Sequence, residues 1–304
     1  VHNWPRFGNQ SCIDYLEKQR DIYQYLNDQT LRLMNKGYTI EEVGRMVKLP
    51  DSLGSEWYNG EFYGTVIHNA KAVYQRYLGW YNGNPIELNK LPLEESAKKY
   101  IEYMGGEKDV LWRARQSFRD GDYQWVAEIM QKIIFANPNN REAKFLCADA
   151  LEQLGYIVES GPWRNAYLMG AQELRYGIIP ITGSFISQYV LDNLLLKDVI
   201  YLLSIRLMGL KAGDLNYKIN FVIPDKNEAA STEVKRGILR YLNDKLSEEA
   251  AVTVTMPKEI LYELATTNNI PDSSKIIVEG DVNKWELFLS LHDTIDQTFN
   301  IITP

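Results

Sequence analysis

The sequence predicts an α+β chain: a helical N-terminal part followed by a small mixed α+β domain. Three observations predict it. Apolar residues recur at helical spacing in the first part, most clearly Leu16, Ile22, Tyr23, Leu26, Thr30, Leu33 and Met34. Small residues repeat 34 positions apart, Ala114 with Ala148 and Gly121 with Gly155, which is the period of a helix-turn-helix unit. From about residue 194 the texture changes to short β-branched runs alternating with short helical ones.

The elements follow in order. Residues 14–36 form a helix that Asp14 can cap and Gly37 can close. Thr39 to Glu42 opens a short helix, with Thr39 and Glu42 in the positions of a capping box. Pro50-Asp51-Ser52 marks a break. Residues 63–78 read as a third long helix, followed by the turn-dense Gly79 to Pro85. Residues 93–103 form a helix closed by Gly105-Gly106. Gly121-Asp122-Tyr123, Glu128, Gln131-Lys132 and Pro138-Asn139-Asn140 resemble a tetratricopeptide repeat, with the glycine expected at the turn. About one and a half repeats are too few for a free-standing solenoid, so this stretch reads as a helical platform. Ser160-Gly161-Pro162 breaks the pattern before a helix over 165–174. The last part holds a helix over 198–207, a strand over 215–223, a strand near 237–242, a strand over 251–256, a helix over 258–266, a strand over 275–279 and a helix over 282–292.

Composition excludes several classes. The chain has 304 residues, 45% hydrophobic and 24% charged, which is ordinary for a globular protein and suggests about two domains. No apolar run reaches the roughly 18 residues of a membrane span. A net charge of −7 and the lack of a basic run with interleaved aromatics argue against nucleic acid as a partner. Two cysteines, Cys12 and Cys147, exclude a disulfide scaffold. Three histidines, His2, His68 and His292, cannot build a multi-histidine metal site. The chain starts at Val1 inside a residue-rich segment, His2-Asn3-Trp4-Pro5, and so reads as the middle of a longer protein.

The longer motifs carry a family likeness. Glu17 to Asp21, Asp28 to Leu33, Tyr63-Gly64-Thr65-Val66-Ile67-His68-Asn69, Lys71 to Tyr81, Gly83-Asn84-Pro85, Tyr103 to Gly106, Trp125-Val126-Ala127 and Ser160-Gly161-Pro162-Trp163-Arg164-Asn165 resemble the alkylsulfatases of the metallo-β-lactamase superfamily. That resemblance implies residues 1–10 as the tail of a metallo-β-lactamase domain, residues 11–193 as a helical dimerisation domain, and residues 194–304 as a domain similar to sterol carrier proteins that binds an apolar chain. It implies a homodimer, an N-terminal metallo-β-lactamase segment as partner, an alkyl sulfate substrate and two zinc ions in the intact enzyme. The His-x-His-x-Asp-His motif that would hold them is not in this sequence, so no cofactor is expected for this chain alone. Relatives of this kind are commonly secreted or periplasmic.

Candidate site residues follow from the same likeness. His2 resembles the last zinc ligand, in use only with the N-terminal domain; a lone terminal histidine would do nothing. His68 is the candidate catalytic residue, since an alkoxide leaving group needs a proton and histidine can supply one near neutral pH; the competing reading is a hydrogen-bonded core histidine. Asn69, Tyr77 and Tyr81 are candidate substrate contacts. Tyr74, Tyr77, Trp80 and Tyr81 could line an alkyl-chain entrance or form core and dimer surface, and the same applies to Tyr15, Tyr23 and Tyr25. Arg76 and Arg164 could meet a sulfate or serve in ion pairs. His292-Asp293 reads as a solvated helix end, and the two thiols as small hydrophobes. The expected function is the C-terminal portion of a zinc-dependent alkylsulfatase that hydrolyses linear alkyl sulfates to alcohol and sulfate. The competing expectation is a stand-alone, non-catalytic dimer that holds an apolar ligand in a cavity between sheet and helices.

Overall fold

A computed structural model describes residues 4–180, 188–267, 273–294 and 298–304. These fall into two compact units, one within residues 1–179 together with 300–304, the other within 180–299.

The first unit is helical: α1 (Asn9–Met34), α2 (Ile40–Met46), α3 (Asp51–Gly54), α4 (Val66–Leu78), α5 (Leu93–Tyr103), α6 (Glu107–Arg119), α7 (Tyr123–Ala136), α8 (Arg141–Ile157) and α9 (Gly161–Tyr176). Short 3-10 turns lie at Trp57–Asn59 and Pro85–Glu87. The expected capping box forms: Thr39 Oγ1 accepts from the Glu42 amide, and the Glu42 carboxylate accepts from the Thr39 amide at 2.8 Å. One core gathers Leu26, Leu33, Val43, Val47, Ala70 and Tyr74 from α1, α2 and α4, with Val47 just past the end of α2. A second fills the space among α5 to α9 with Val126, Met130, Ile133, Ile134, Ala143, Cys147 and Ala148.

The repeat period is real, and its two glycines do different work. α6 and α8 start 34 residues apart, at Glu107 and Arg141. Gly121 lies in the turn between α6 and α7 with φ +82°, a conformation that disfavours a side chain. Gly155 is not at a turn. It is buried inside α8, where a Cβ would stand 3.2 Å from Leu168 of α9. It serves close helix packing, which periodicity alone could not separate from a turn. α9 also starts four residues earlier than the sequence suggests, because Ser160 caps it and Pro162 is tolerated in a first helical turn.

The second unit runs α10 (Gln188–Asn193), α11 (Leu196–Arg206), α12 (Gly209–Ala212), β1 (Asn216–Ile223), β2 (Glu228–Lys235), β3 (Ile238–Asn243), β4 (Ala250–Thr255), α13 (Lys258–Thr266), β5 (Ile277–Gly280) and α14 (Val282–Ser290). The sheet order is β3-β2-β1-β4-β5, with β1 parallel to β4 and every other pair antiparallel. β2 is absent from the sequence expectation. Its Glu-Ala-Ala-Ser-Thr-Glu lacks the apolar alternation of a half-buried strand. The sheet supplies what the residues lack: Thr232 donates to the Ile219 carbonyl at 3.1 Å, and Glu233 takes Arg240 at 2.6 Å. Arg236 and Gly237 both hold positive φ, the requirement of a tight hairpin turn, and the Gly237 backbone lies so close to Gly209 that a Cβ there would stand 2.8 Å from its carbonyl. The space between sheet and helices is filled by Ile219, Phe221, Leu261, Trp285 and Phe288, with Trp285 and Phe288 stacked at 5.5 Å.

Candidate active site

Two of the family-like blocks, nearly a hundred residues apart in sequence, meet in the first unit. α4 starts at Val66, three residues later than the periodicity suggests, because the turn before it is committed to capping. Thr65 Oγ1 accepts from the His68 amide at 2.9 Å, and the Glu61 carboxylate accepts from the Val66 amide at 2.6 Å. The bent 62–64 segment is then tied to the start of α9. Ser160 Oγ donates to the Tyr63 carbonyl at 2.6 Å, and the Gly161 amide donates to the Phe62 carbonyl at 2.9 Å. Ser160 is 1% exposed, and its oxygen also accepts from the Trp163 amide at 3.4 Å.

His68 emerges at this junction. Its side chain is exposed rather than buried in the core, and its ring stands edge-on to Trp163 with centroids 6.4 Å apart. Trp163 in turn meets Tyr167 edge-on at 6.4 Å, and burial raises the Tyr167 phenol above its usual range. Asn69 lies beside it, close enough to Gly64 that a Cβ at that glycine would stand 3.3 Å from the Asn69 amide group. An exposed imidazole held by a capped helix start and an aromatic wall can exchange a proton with a bound ester.

The other candidates separate. Tyr77 follows His68 by nine positions, which at 3.6 residues per turn puts it on the opposite side of α4 and about 13 Å along the axis. There its hydroxyl donates to Asn27 of α1 at 3.4 Å. Tyr81 lies beyond the helix, half-buried, its ring tilted against Trp80 at 5.6 Å. Tyr74 is core, 4% exposed. Tyr15 packs on Tyr58 at 5.0 Å, Tyr25 donates to the Lys48 carbonyl at 2.8 Å, and Tyr23 is exposed. Arg164 donates to the Gly155 and Val158 carbonyls at 3.2 and 2.8 Å, closing the C-terminus of α8 where a cation is favoured. Arg76 is exposed in the last turn of α4.

His292 is not a solvated helix end. α14 stops at Ser290, and the His292 ring packs on Phe288 at 4.4 Å with Nδ1 2.7 Å from the Phe288 carbonyl. Burial lowers its pKa below the usual histidine value. Cys147 is buried, and burial pushes its thiol up to about 12. His2 lies outside the described residues. Among the described residues no group of three or more His, Cys, Asp or Glu side chains is arranged to hold a metal ion. No helix among them is long and apolar enough to cross a membrane.

Within the Ser160–Asn165 block the sequence suggests a role for Arg164 but none for Ser160 or Trp163. The tie from Ser160 to Tyr63 and the wall that Trp163 makes beside His68 depend on tertiary contact. The available signal was a serine at an N-cap position followed by Gly-Pro-Trp.

Comparison with known proteins agrees with the layout. The alkyl sulfatase dimerisation family matches residues 39–177, and the alkyl sulfatase C-terminal family matches residues 184–304. A linear primary-alkylsulfatase from Pseudomonas is 42% identical across the whole chain, which covers 46% of that protein. The alkyl/aryl-sulfatase BDS1 of Saccharomyces cerevisiae is 41% identical, with 47% of it covered. The solved structure of the stereoselective inverting sec-alkylsulfatase Pisa1 from Pseudomonas superposes with a TM-score of 0.90 at 38% identity, over all of this chain and 48% of that one. The chain thus spans about half the length of the curated relatives it matches. It belongs to the alkylsulfatases, of which it carries the dimerisation domain and the C-terminal domain.

Proposed function

We propose that the chain is the C-terminal portion of a zinc-dependent alkylsulfatase that hydrolyses linear alkyl sulfates to alcohol and sulfate. It supplies the homodimer contact, one active-site histidine and a surface for the apolar chain. The observation that carries this reading is the junction of the 63–69 and 160–165 segments around the exposed His68 imidazole. In this reading protonated His68 gives its proton to the ester oxygen that leaves, and Asn69 beside it orients the head group. Tyr77 and Tyr81, placed away from that corner, serve the chain rather than the head. The zinc ions would be held by a metallo-β-lactamase segment, to which His2 would add a ligand. The C-terminal unit is similar to sterol carrier proteins. Its sheet–helix interior is filled, and a separate apolar ligand of this unit would lie in the open groove of about 470 Å3 whose lining sets Ile200, Tyr201, Leu239 and Tyr241 beside Lys197, Asp198 and Arg240.

The test is His68→Ala and His68→Gln in the full-length protein, with sulfate release from a linear primary alkyl sulfate measured over pH. A fall in kcat of roughly a hundredfold or more, with little change in KM, is expected for loss of a general acid. Unchanged kinetics would remove His68 from the mechanism.

A further inference from the structure

Residues 4–8 lead into α1, and one side chain grips them to the helical unit. Trp4 and Phe7 are 80% and 82% exposed, and Arg6 is the one residue of the five that turns inward. Its guanidinium carbon stands 4.4 Å from the centroid of the Tyr58 ring, 5.0 Å from that of Trp57 and 5.9 Å from that of Tyr15. The rings also hold one another, Tyr15 with Tyr58 at 5.0 Å and Trp57 edge-on to Tyr58 at 5.8 Å. A cation is drawn to the negative face of an aromatic ring, and more strongly out of water. Among the described residues the buried Arg6 Nη2 finds no hydrogen-bond partner, so ring faces carry the attraction at that end. The backbone adds less: the Arg6 carbonyl accepts from the Cys12 thiol, a weak donor, at 3.6 Å, and the Gly8 carbonyl accepts from the Cys12 amide at 3.0 Å.

The cage joins two parts of the chain. Tyr15 lies on α1, and Trp57 and Tyr58 lie in the 3-10 turn. Around that turn the chain is pinned. Lys18 of α1 pairs with Glu56, Gln19 donates to the Asn59 side chain at 2.5 Å, and Asn59 donates to the Leu53 carbonyl at 2.9 Å. Glu61 and Thr65 then cap the start of α4 and so set His68, ten residues after Tyr58.

We infer that Arg6 is a positioning residue: caged by Tyr15, Trp57 and Tyr58, it fixes the register between the 4–8 segment and the 57–66 segment that presents His68. The inference rests on the proposed reaction, in which groups carried by the preceding segment and His68 act on one ester. A misplacement of about 1 Å between them costs roughly a hundredfold in rate. Lysine is no substitute, because an ammonium is a compact, strongly hydrated point charge, whereas a planar guanidinium lies flat against rings.

The experiment uses Arg6→Ala and Arg6→Lys, in the 304-residue chain and in the full-length protein. In the 304-residue chain, hydrogen exchange over residues 57–66 should rise roughly tenfold in Arg6→Ala, with α7 and α8 still protected. In the full-length protein, Arg6→Ala should lower kcat on a linear primary alkyl sulfate roughly tenfold or more, and Arg6→Lys should recover little of it. Guanidinium ion, well below denaturing concentration, should restore part of the kcat lost in Arg6→Ala and none of that lost in His68→Ala. Trp57→Leu removes one wall of the cage; it should reproduce the Arg6→Ala defect and add little to it in the double variant. Exchange that rises evenly through the unit, without guanidinium rescue, would make Arg6 a stabilising residue only and overturn the inference. Normal kcat with unchanged exchange at 57–66 in Arg6→Ala would overturn it alone, whereas normal kcat in His68→Ala would overturn the proposed reaction and the inference with it.

Discussion

Ser160→Ala tests whether the junction that presents His68 is held by one buried hydroxyl. Ser160 is 1% exposed; its oxygen donates to the Tyr63 carbonyl at 2.6 Å and accepts from the Trp163 amide at 3.4 Å. Loss of an N-cap serine costs about 1 kcal/mol. Loss of the second bond, with a polar group left in a site closed to water, adds about 1 kcal/mol. The sum is about 2 kcal/mol, which for a unit of this size lowers Tm by roughly 4–8 °C. Differential scanning calorimetry and urea unfolding of the variant and the parent measure it. The cavity left by one hydroxyl is small, so packing loss adds little. A shift below about 0.5 kcal/mol would refute the assignment of Ser160 as the tie, and would mean that the Gly161 amide to the Phe62 carbonyl, at 2.9 Å, holds the segment alone. In the full-length protein the same variant should lower kcat while the His68 side chain is still present, because the 62–64 segment that feeds α4 is released.

Other outcomes follow from the geometry. Burial lowers the His292 pKa, so the folded protein prefers the neutral ring; stability is fully present above the ordinary value of 6.5 and falls as pH drops below it, and His292→Gln should flatten that dependence in chemical denaturation of the chain between pH 7 and 5. Only Cys12 should react with Ellman's reagent in the native protein, and both thiols in urea, because Cys147 is buried and held protonated; a second rapid native equivalent would contradict the core placement. Gly155→Val should destabilise the first unit by about 1–3 kcal/mol, since a Cβ already meets Leu168 at 3.2 Å; urea unfolding decides. Glu173→Ala should free the C-terminal tail, whose Ile301 and Ile302 amides both donate to that carboxylate at 3.1–3.2 Å, and limited proteolysis should then trim the last residues faster.

Much of this chain can be read from local pattern, and the reason is physical. The capping box at Thr39–Glu42, the helix at Leu93–Tyr103 and the helix at Lys258–Thr266 rest on short-range rules, caps, periodicity and breakers, that operate within one or two turns. The 34-residue spacing pointed to a helix-turn-helix unit, the switch from helical to strand texture near residue 194 to an α+β domain, and the motif blocks, by resemblance, to the family. β2 could not be read, because Glu228 to Lys235 becomes a strand through partners on β1 and β3 that satisfy its polar side chains. Gly155 was legible as a repeat position but not as a packing point, since its role depends on where Leu168 of α9 comes to rest. Arg164 and His292 changed their meaning for the same reason: each is bound to carbonyls that folding delivers. The sequence by itself determined the fold class, the family and the identity of His68 as a candidate. Only the tertiary structure decided that His68 stands exposed beside Trp163, because local rules set the phase of a helix, and with it the opposite facing of Tyr77, but not what the rest of the chain places against it.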